Sequence, residues 1–429
     1  MDRWISVLPH VVNLYSGIGA GARRERAGTL PGGVHRRIAG SAAALTMAIS
    51  LASCGTTDPS RDRAATPSAS AAAPQSTGSA AAPTFPLRSG ERVLSLRLPH
   101  PYRPKAPHGG TDDYRCFLLD PHLTASAFIT GIGFVPGNSH VVHHAILFRV
   151  PARQIPAAEA KDAQQPGDGW TCFGDTEIPD PGQTSAASGN GGWLAAWAPG
   201  GRPVTYQNGL GVPVDAGSRV VLQVHYNLLG GNQPDQTGLR LHLTPAASGM
   251  QPLDTVLLPA PVELPCTAAE HGRLCQRNNA VHDVAARFGP QVGATAAGLQ
   301  RLCGGNPTKP AVGATQSCDQ RVPAPMTVQS AAGHMHLLGR SIRITLDPDT
   351  PRERILLDVP RYDFDNQGAV PLPQPVHVRP GNTIRVTCTH DAKLRAMLPE
   401  LAHQPPRYVV WGDGTSDEMC LGILTVTQP

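Results

Sequence analysis

Proline and glycine punctuate this chain so densely, 43 and 45 times in 429 residues, that long uninterrupted helices are excluded. Short strands joined by turns are what such a chain can build. Strand-like segments begin near Val93 and recur at 116–119, 127–134, 140–150, 192–198, 219–227 and 240–243. Turn signals such as Pro136-Gly137-Asn138 and Gly230-Gly231-Asn232 separate them, which is the rhythm of a sandwich or barrel. Residues 266–318 break that rhythm with helix-favouring stretches at 280–288 and 293–302. The strand pattern then returns at 326–337, 341–346, 354–359, 383–390, 408–411 and 420–426. The expected architecture is all-β: two sandwich domains at 91–248 and 249–429, the second carrying a partly helical insertion at 266–318.

The N-terminal part reads as an address. After Arg36 and Arg37 an apolar run at 38–52 closes on Leu51, Ala52, Ser53, Cys54 and Gly55, too short to span a membrane as a mature helix and suited to a secretion signal. The tetrad ending in Cys54 is that of a bacterial lipobox, so Cys54 is expected to be lipidated; an ordinary signal cleavage is the alternative. Residues 54–90, rich in Ala, Ser, Thr and Pro, cannot bury enough apolar area to order themselves and form a flexible tether. The chain is therefore expected in the cell envelope, anchored to a membrane.

Charge excludes one class of partner. Six arginines but only two acids lie in residues 1–53, so the remainder is nearly neutral and offers no cationic surface for nucleic acid. Beyond Cys54 there are eight cysteines, at 116, 172, 266, 275, 303, 318, 388 and 420. An even set in an exported chain reads as four disulfides, and the lack of any C-x₂-C spacing in 266–318 argues against a zinc site there.

Two groups of soft and borderline ligands stand out. His143 and His144 with His225 offer three imidazoles; His334 and His336 with Met419 offer two imidazoles and a thioether. Thioether sulfur helps to hold Cu(I) whereas imidazole suits copper in both oxidation states, so the mixture points to a metal that cycles. No conspicuous Glu accompanies the histidines, as a zinc hydrolase would require for its base. His334 and His336, two apart in a strand-like segment, project from one face. His143 and His144 are neighbours and would point to opposite faces of a regular strand, so both can serve one ion only if the strand is bulged or ends there, or if each uses a different ring nitrogen.

The order of the segments TDDYRCFLLD, VVHHAILFRV, WTCFGD, AWAPGG, VVLQVHYN, GHMHLLGR and SDEMC resembles the copper type II, ascorbate-dependent monooxygenases, over roughly residues 95–429 with the insertion left out. That resemblance implies a pair of jelly-roll-like β-sandwiches. It also implies two copper ions per chain: an electron-transfer copper on His143, His144 and His225, and an oxygen-binding copper on His334, His336 and Met419. It pairs Cys116 with Cys172 and Cys388 with Cys420, and leaves Cys266, Cys275, Cys303 and Cys318 with three possible connectivities. The implied activity is hydroxylation of an activated C–H bond of a small molecule by O₂, with electrons from ascorbate or another external donor and solvent between the two coppers. In the peptide-hydroxylating members an arginine sits two residues before the first His of the HxH pair; here Ala332 occupies that place, and Leu421 and Ile423 replace an Asn and a Tyr. The implied pocket is apolar and not built for a peptide carboxylate. A copper-buffering lipoprotein without hydroxylase activity is the competing expectation.

Overall fold

The computed structural model describes residues 86–107, 110–165, 167–179, 192–246 and 249–428. Cys54, the signal segment and the tether as far as residue 85 lie outside the described residues. Among the described residues no helix is long and apolar enough to cross a membrane.

Ten strands form the first half: β1 (Arg92–Arg97), β2 (Asp112–Leu119), β3 (Ala127–Val135), β4 (Val142–Val150), β5 (Trp170–Thr171), β6 (Trp193–Trp197), β7 (Val204–Thr205), β8 (Leu210–Val214), β9 (Arg219–Asn227) and β10 (Gly238–Pro245). One sheet runs β5-β2-β9-β4-β6, and the opposing layer β1-β10-β3-β8, with β7 on β3. The period-two alternation of β9 explains why they stack. Val220, Leu222 and Val224 point into the shared core with Phe117, Leu147, Ile129, Ile132 and Leu241. Val221 points the other way, into a smaller cluster with Cys116, Ile146, Phe148 and Trp170, under the short helix α1 (Ile155–Asp162). His225 lies on that outer side.

The second half holds β11 (Gln251–Pro259), β12 (Glu263–Leu264), β13 (Thr315–Arg321), β14 (Met326–His334), β15 (Gly339–Leu346), β16 (Arg354–Val359), β17 (Val370–Val378), β18 (Thr383–His390), β19 (Val409–Val410) and β20 (Leu421–Thr427). Sheet β13-β18-β15-β16 faces β11-β20-β14-β17 across a core of Val328, Ala331, Ile342, Ile344, Val386, Leu424 and Val426. The halves are not separated by a free linker. β11 pairs in parallel with β8 at Gln251↔Leu210 and Pro252↔Gly211, then antiparallel with β20 from Leu253 onward. Leu253 sits in the first core and Leu258 in the second, so this one strand is buried on behalf of both.

β17 is illegible as a strand in the sequence because Pro371, Pro373 and Pro375 interrupt it. It lies at the sheet's edge, where a missing N–H costs no ladder bond.

The insertion is helical, as its composition suggests, with α2 (Arg277–Phe288) and α3 (Pro290–Leu302). Ala280, Val284 and Phe288 recur every fourth residue of α2 and pack with Val292 and Ala296 of α3, Tyr408 and Val410. Burial of side chains the size of Val284 or Phe288 contributes about 1.5–3 kcal/mol each, enough to dock helices this short. Gly289, at φ +93°, makes the turn between them, and Gly293 lies so close to α2 that an added Cβ would come within 2.5 Å of Ala285. Glu263 is buried and accepts from Arg277 Nε and Nη2 at 2.7 and 2.6 Å and from the Tyr408 hydroxyl at 2.9 Å, tying the first turn of α2 to the sandwich.

Four disulfides are present: Cys116–Cys172, Cys266–Cys275, Cys303–Cys318 and Cys388–Cys420. The middle two close the insertion on its neighbours in sequence, a choice among three connectivities that spacing alone leaves open.

Candidate metal centre

His144 and His225 are directly opposed on β4 and β9, and the register of that pair shifts between Val142 and His144. This bulge takes His143 out of strict alternation, so both adjacent imidazoles serve the same side of the sheet. The three rings meet through Nδ1: His143 to His225 at 3.0 Å, His143 to His144 at 3.2 Å and His144 to His225 at 3.3 Å. Nitrogens around one first-row ion at about 2.0–2.1 Å lie about 3.3–3.6 Å apart, close to this spacing.

The protonation pattern fits a cation. The Asp112 carboxylate accepts from His225 Nε2–H at 2.9 Å, so Nδ1 of His225 carries a lone pair turned toward two other Nδ1 atoms. Protons cannot satisfy three nitrogens that all face one another; an ion bound by their lone pairs can. Burial, and then the charge of neighbouring histidines, pushes His143 and His144 well below the usual imidazole range. Burial also lowers His225, opposed by its bond to Asp112. For Asp112 burial acts upward, but the bonds and charge of His225 and the bonds from Thr415 prevail and hold it at about 2. The Tyr114 ring stacks on His225 at 4.0 Å, 12° from parallel.

The second set forms where β14 ends. The strand stops at His334 rather than continuing to residue 337, and His336 lies just beyond it. The backbone N–H of His336 donates to Glu418 Oε2 at 2.9 Å and that of Leu338 to Glu418 Oε1 at 2.6 Å, so a buried side chain replaces the lost ladder. His334 Nδ1–H donates to Gln367 Oε1 at 2.7 Å and His336 Nδ1–H to the Asp417 carbonyl at 3.3 Å. Each ring is thereby left with an Nε2 lone pair, and Nε2 of His336 is buried without a partner. His334 pairs with Leu421, two residues after Met419 in the chain, and Met419 itself is partly buried against the second core. The disulfide Cys388–Cys420 anchors the position next to Met419, whose carbonyl is 3.4 Å from His390 Nε2.

The two sets touch each other. Ring centroids of His144 and His334 are 5.6 Å apart and those of His143 and His336 6.4 Å apart, while Phe364 stacks on His143 at 4.3 Å. This differs from the solvent-separated arrangement expected from the resemblance. Its physical cause is the β8–β11 pairing together with the 361–369 loop, in which Gln367 N–H donates to the Pro199 carbonyl at 3.2 Å while its side chain holds His334.

Asp112, Tyr114, Phe364, Gln367, His390 and Glu418 are functional neighbours that the sequence does not single out. Asp112 and Glu418 stand inside the motifs that carry the resemblance, TDDYRC and SDEMC, and are detectable there. The expectation that no Glu accompanies the histidines is corrected: Glu418 does, as a backbone acceptor and not as a base. Phe364 and Gln367 sit in a loop with no His, Cys or Met to betray it.

Two fused β-sandwiches that bring three buried imidazoles against a further pair define a candidate metal-binding protein. Residues 105–232 match the model of the copper type II ascorbate-dependent monooxygenase N-terminal domain, and residues 306–425 that of its C-terminal domain. Together the matches cover more than half of the chain, and the chain belongs to this family. No curated protein matches its sequence. Among solved structures it is similar to an allantoicase (10% identity, TM-score 0.16, covering 76% of this chain and 90% of that one) and to tomato vicilin (10%, 0.14, covering 79% and 74%). A similarity of the same order links it to the coconut allergen cocosin (11%, 0.15, covering 79% and 86%). Similarity at that level carries no argument about fold or function.

Proposed function

We propose that the protein is a copper monooxygenase that hydroxylates an activated C–H bond of a small apolar substrate, with His143, His144 and His225 as one copper site and His334, His336 and Met419 as the other. The overall change consumes one O₂, two electrons and two protons, placing one oxygen atom on carbon and releasing the other as water. Copper, when bound, supplies the one-electron steps and the activation of O₂. The observation that carries this reading is the convergence of three buried imidazole nitrogens of His143, His144 and His225, with His334 and His336 packed against them, in a chain of the copper monooxygenase family.

The chain's own residues supply position and exclusion of water. Asp112, Gln367 and the Asp417 carbonyl each take a ring N–H, fixing which nitrogen of His225, His334 and His336 is free. Ala332 and His334 share one face of β14, cross-strand from Ile423 and Leu421, with Leu257 beyond Ile423 on β11. This semi-exposed shelf is apolar and carries no cation for a carboxylate, which supports an uncharged substrate over a peptide terminus.

We further propose export and a lipid anchor at Cys54, with a donor such as ascorbate or another envelope reductant. The decisive experiment is O₂ consumption by the copper-loaded protein with a reductant and a panel of apolar substrates. Consumption with hydroxylated product in the wild type, lost in Met419→Ala, is the expected result. Stoichiometric copper without any product would leave the copper-buffering alternative in possession.

A further inference from the structure

We propose that Arg287, on an insertion helix outside both family matches, is a positioning residue for both histidine sets, acting through the loop 412–418. This rests on the copper-site reading above and goes beyond it, because Arg287 touches none of the candidate ligands.

The chain of contacts is short. Arg287 Nη1 and Nη2 donate to Asp417 Oδ2 and Oδ1 at 2.8 and 2.6 Å, a two-pronged pair that is almost entirely buried on the Asp417 side. Asp283, one turn earlier on α2, holds Arg287 Nε at 2.9 Å, and Arg407 bridges the same Asp283 at 2.8 Å. The loop is wound around the Asp417 carboxylate: Gly414 N–H donates to Oδ2 at 3.2 Å, and a Cβ on Gly412 or Gly414 would come within 2.9 or 2.8 Å of that side chain. The insertion therefore grips the loop at its centre.

From that centre the loop reaches both sets. Toward the first, Thr415 N–H and Oγ1–H donate to Asp112 Oδ1 at 2.9 and 2.6 Å, and the same oxygen takes His225 Nε2–H. The Asp413 carbonyl also accepts from the hydroxyl of Tyr114, which stacks on His225. Toward the second, the Asp417 carbonyl takes His336 Nδ1–H and Glu418 holds the His336 backbone. Phe288, next to Arg287, packs edge-on against Tyr114 and Phe173, so the helix end is seated on the first half as well. Arg287, with Arg407 Nη1 3.6 Å from the same Asp417 carboxylate, thus fixes the segment that supports Asp112, the partner of His225, and that itself takes the His336 ring N–H.

The test uses the full chain, first without metal. Imidazole ¹⁵N–¹H correlation spectra report which ring nitrogen is protonated; the wild type should show Nε2–H at His225 and Nδ1–H at His336. Arg287→Gln should lose both fixed tautomers, Arg287→Lys should recover them in part because one prong remains, and Thr415→Val should disturb His225 alone. Cuprous-ion competition titrations should then show both affinities about 10–100-fold weaker in Arg287→Gln and only one weakened in Thr415→Val. Unchanged tautomers at both histidines in Arg287→Gln would overturn the proposal. Should that variant not fold, Arg287→Lys decides: partial loss of Nε2–H at His225 and of Nδ1–H at His336 supports the positioning role, and wild-type tautomers at both refute it. A wild type with the expected tautomers that takes up no copper would instead sink the metal-site reading and leave the positioning role intact.

Discussion

His144 and His334 stand edge to face with ring centroids 5.6 Å apart, although they come from different sandwiches and lie far apart in sequence. Two ions held by the sets to which these rings belong would be near neighbours. Fully loaded with Cu(II), the protein should give a dipole-broadened or exchange-coupled resonance with a half-field signal. Substituting His334 and His336 by Ala should leave the spectrum of an isolated ion, and two unperturbed signals from the wild type would contradict the contact.

The metal-free protein should be sensitive to acid. Burial, with the neighbouring charge of His336, drives His334 down to about 3, against the Gln367 bond that raises it. The unfolded chain titrates near an ordinary imidazole value of about 6.5, so below that pH it binds protons that the folded state refuses. Stability is then whole above about pH 6.5 and falls as pH drops toward 3, by on the order of 1.4 kcal/mol per unit for this group. His143 and His144 act in the same direction. Urea midpoints measured without metal between pH 7.5 and 5 should decline; a level profile would contradict it.

Asp413 behaves oppositely. Burial and the nearby charges of Asp417, Asp112 and Asp175, only partly offset by Arg287, push its carboxyl up to about 7, and its Oδ2 has no hydrogen-bond partner. A raised acid stabilises the fold below its unfolded value of about 3.9 and loses that contribution as pH rises through about 7. Asp413→Asn should therefore stabilise the protein at pH 8, by about 1–4 kcal/mol, and hardly at all at pH 4. Melting curves at the two pH values check the difference.

Glu418 is fully buried and accepts from the His336 and Leu338 backbones, with His390 Nε2 at 3.3 Å. Glu418→Gln turns one acceptor oxygen into a donor facing a donor, so it should cost about 1–3 kcal/mol. It should also weaken copper binding at the Met419 set while leaving the His225 set intact, read by competition titration and by the sulfur contribution to the copper X-ray absorption spectrum.

Much of this molecule is legible in its sequence because its local rules are strict. Alternation alone places Val220, Leu222 and Val224 of β9 inward and His225 outward, and the ordered motifs identify the family. The His143 and His144 pair leaves a bulge, a strand end or different ring nitrogens open, and the register of β4 contains a bulge there. What no local rule contains is which distant groups meet. The closure of the two sets on one another, the grip of Arg287 on Asp417, and the cysteine pairs of the insertion depend on chain segments far apart in sequence whose approach is set by sheet pairing and burial. Side-chain types and their periodicity act over a few residues; the contacts that select a tautomer or seat a loop arise only once the whole chain has packed.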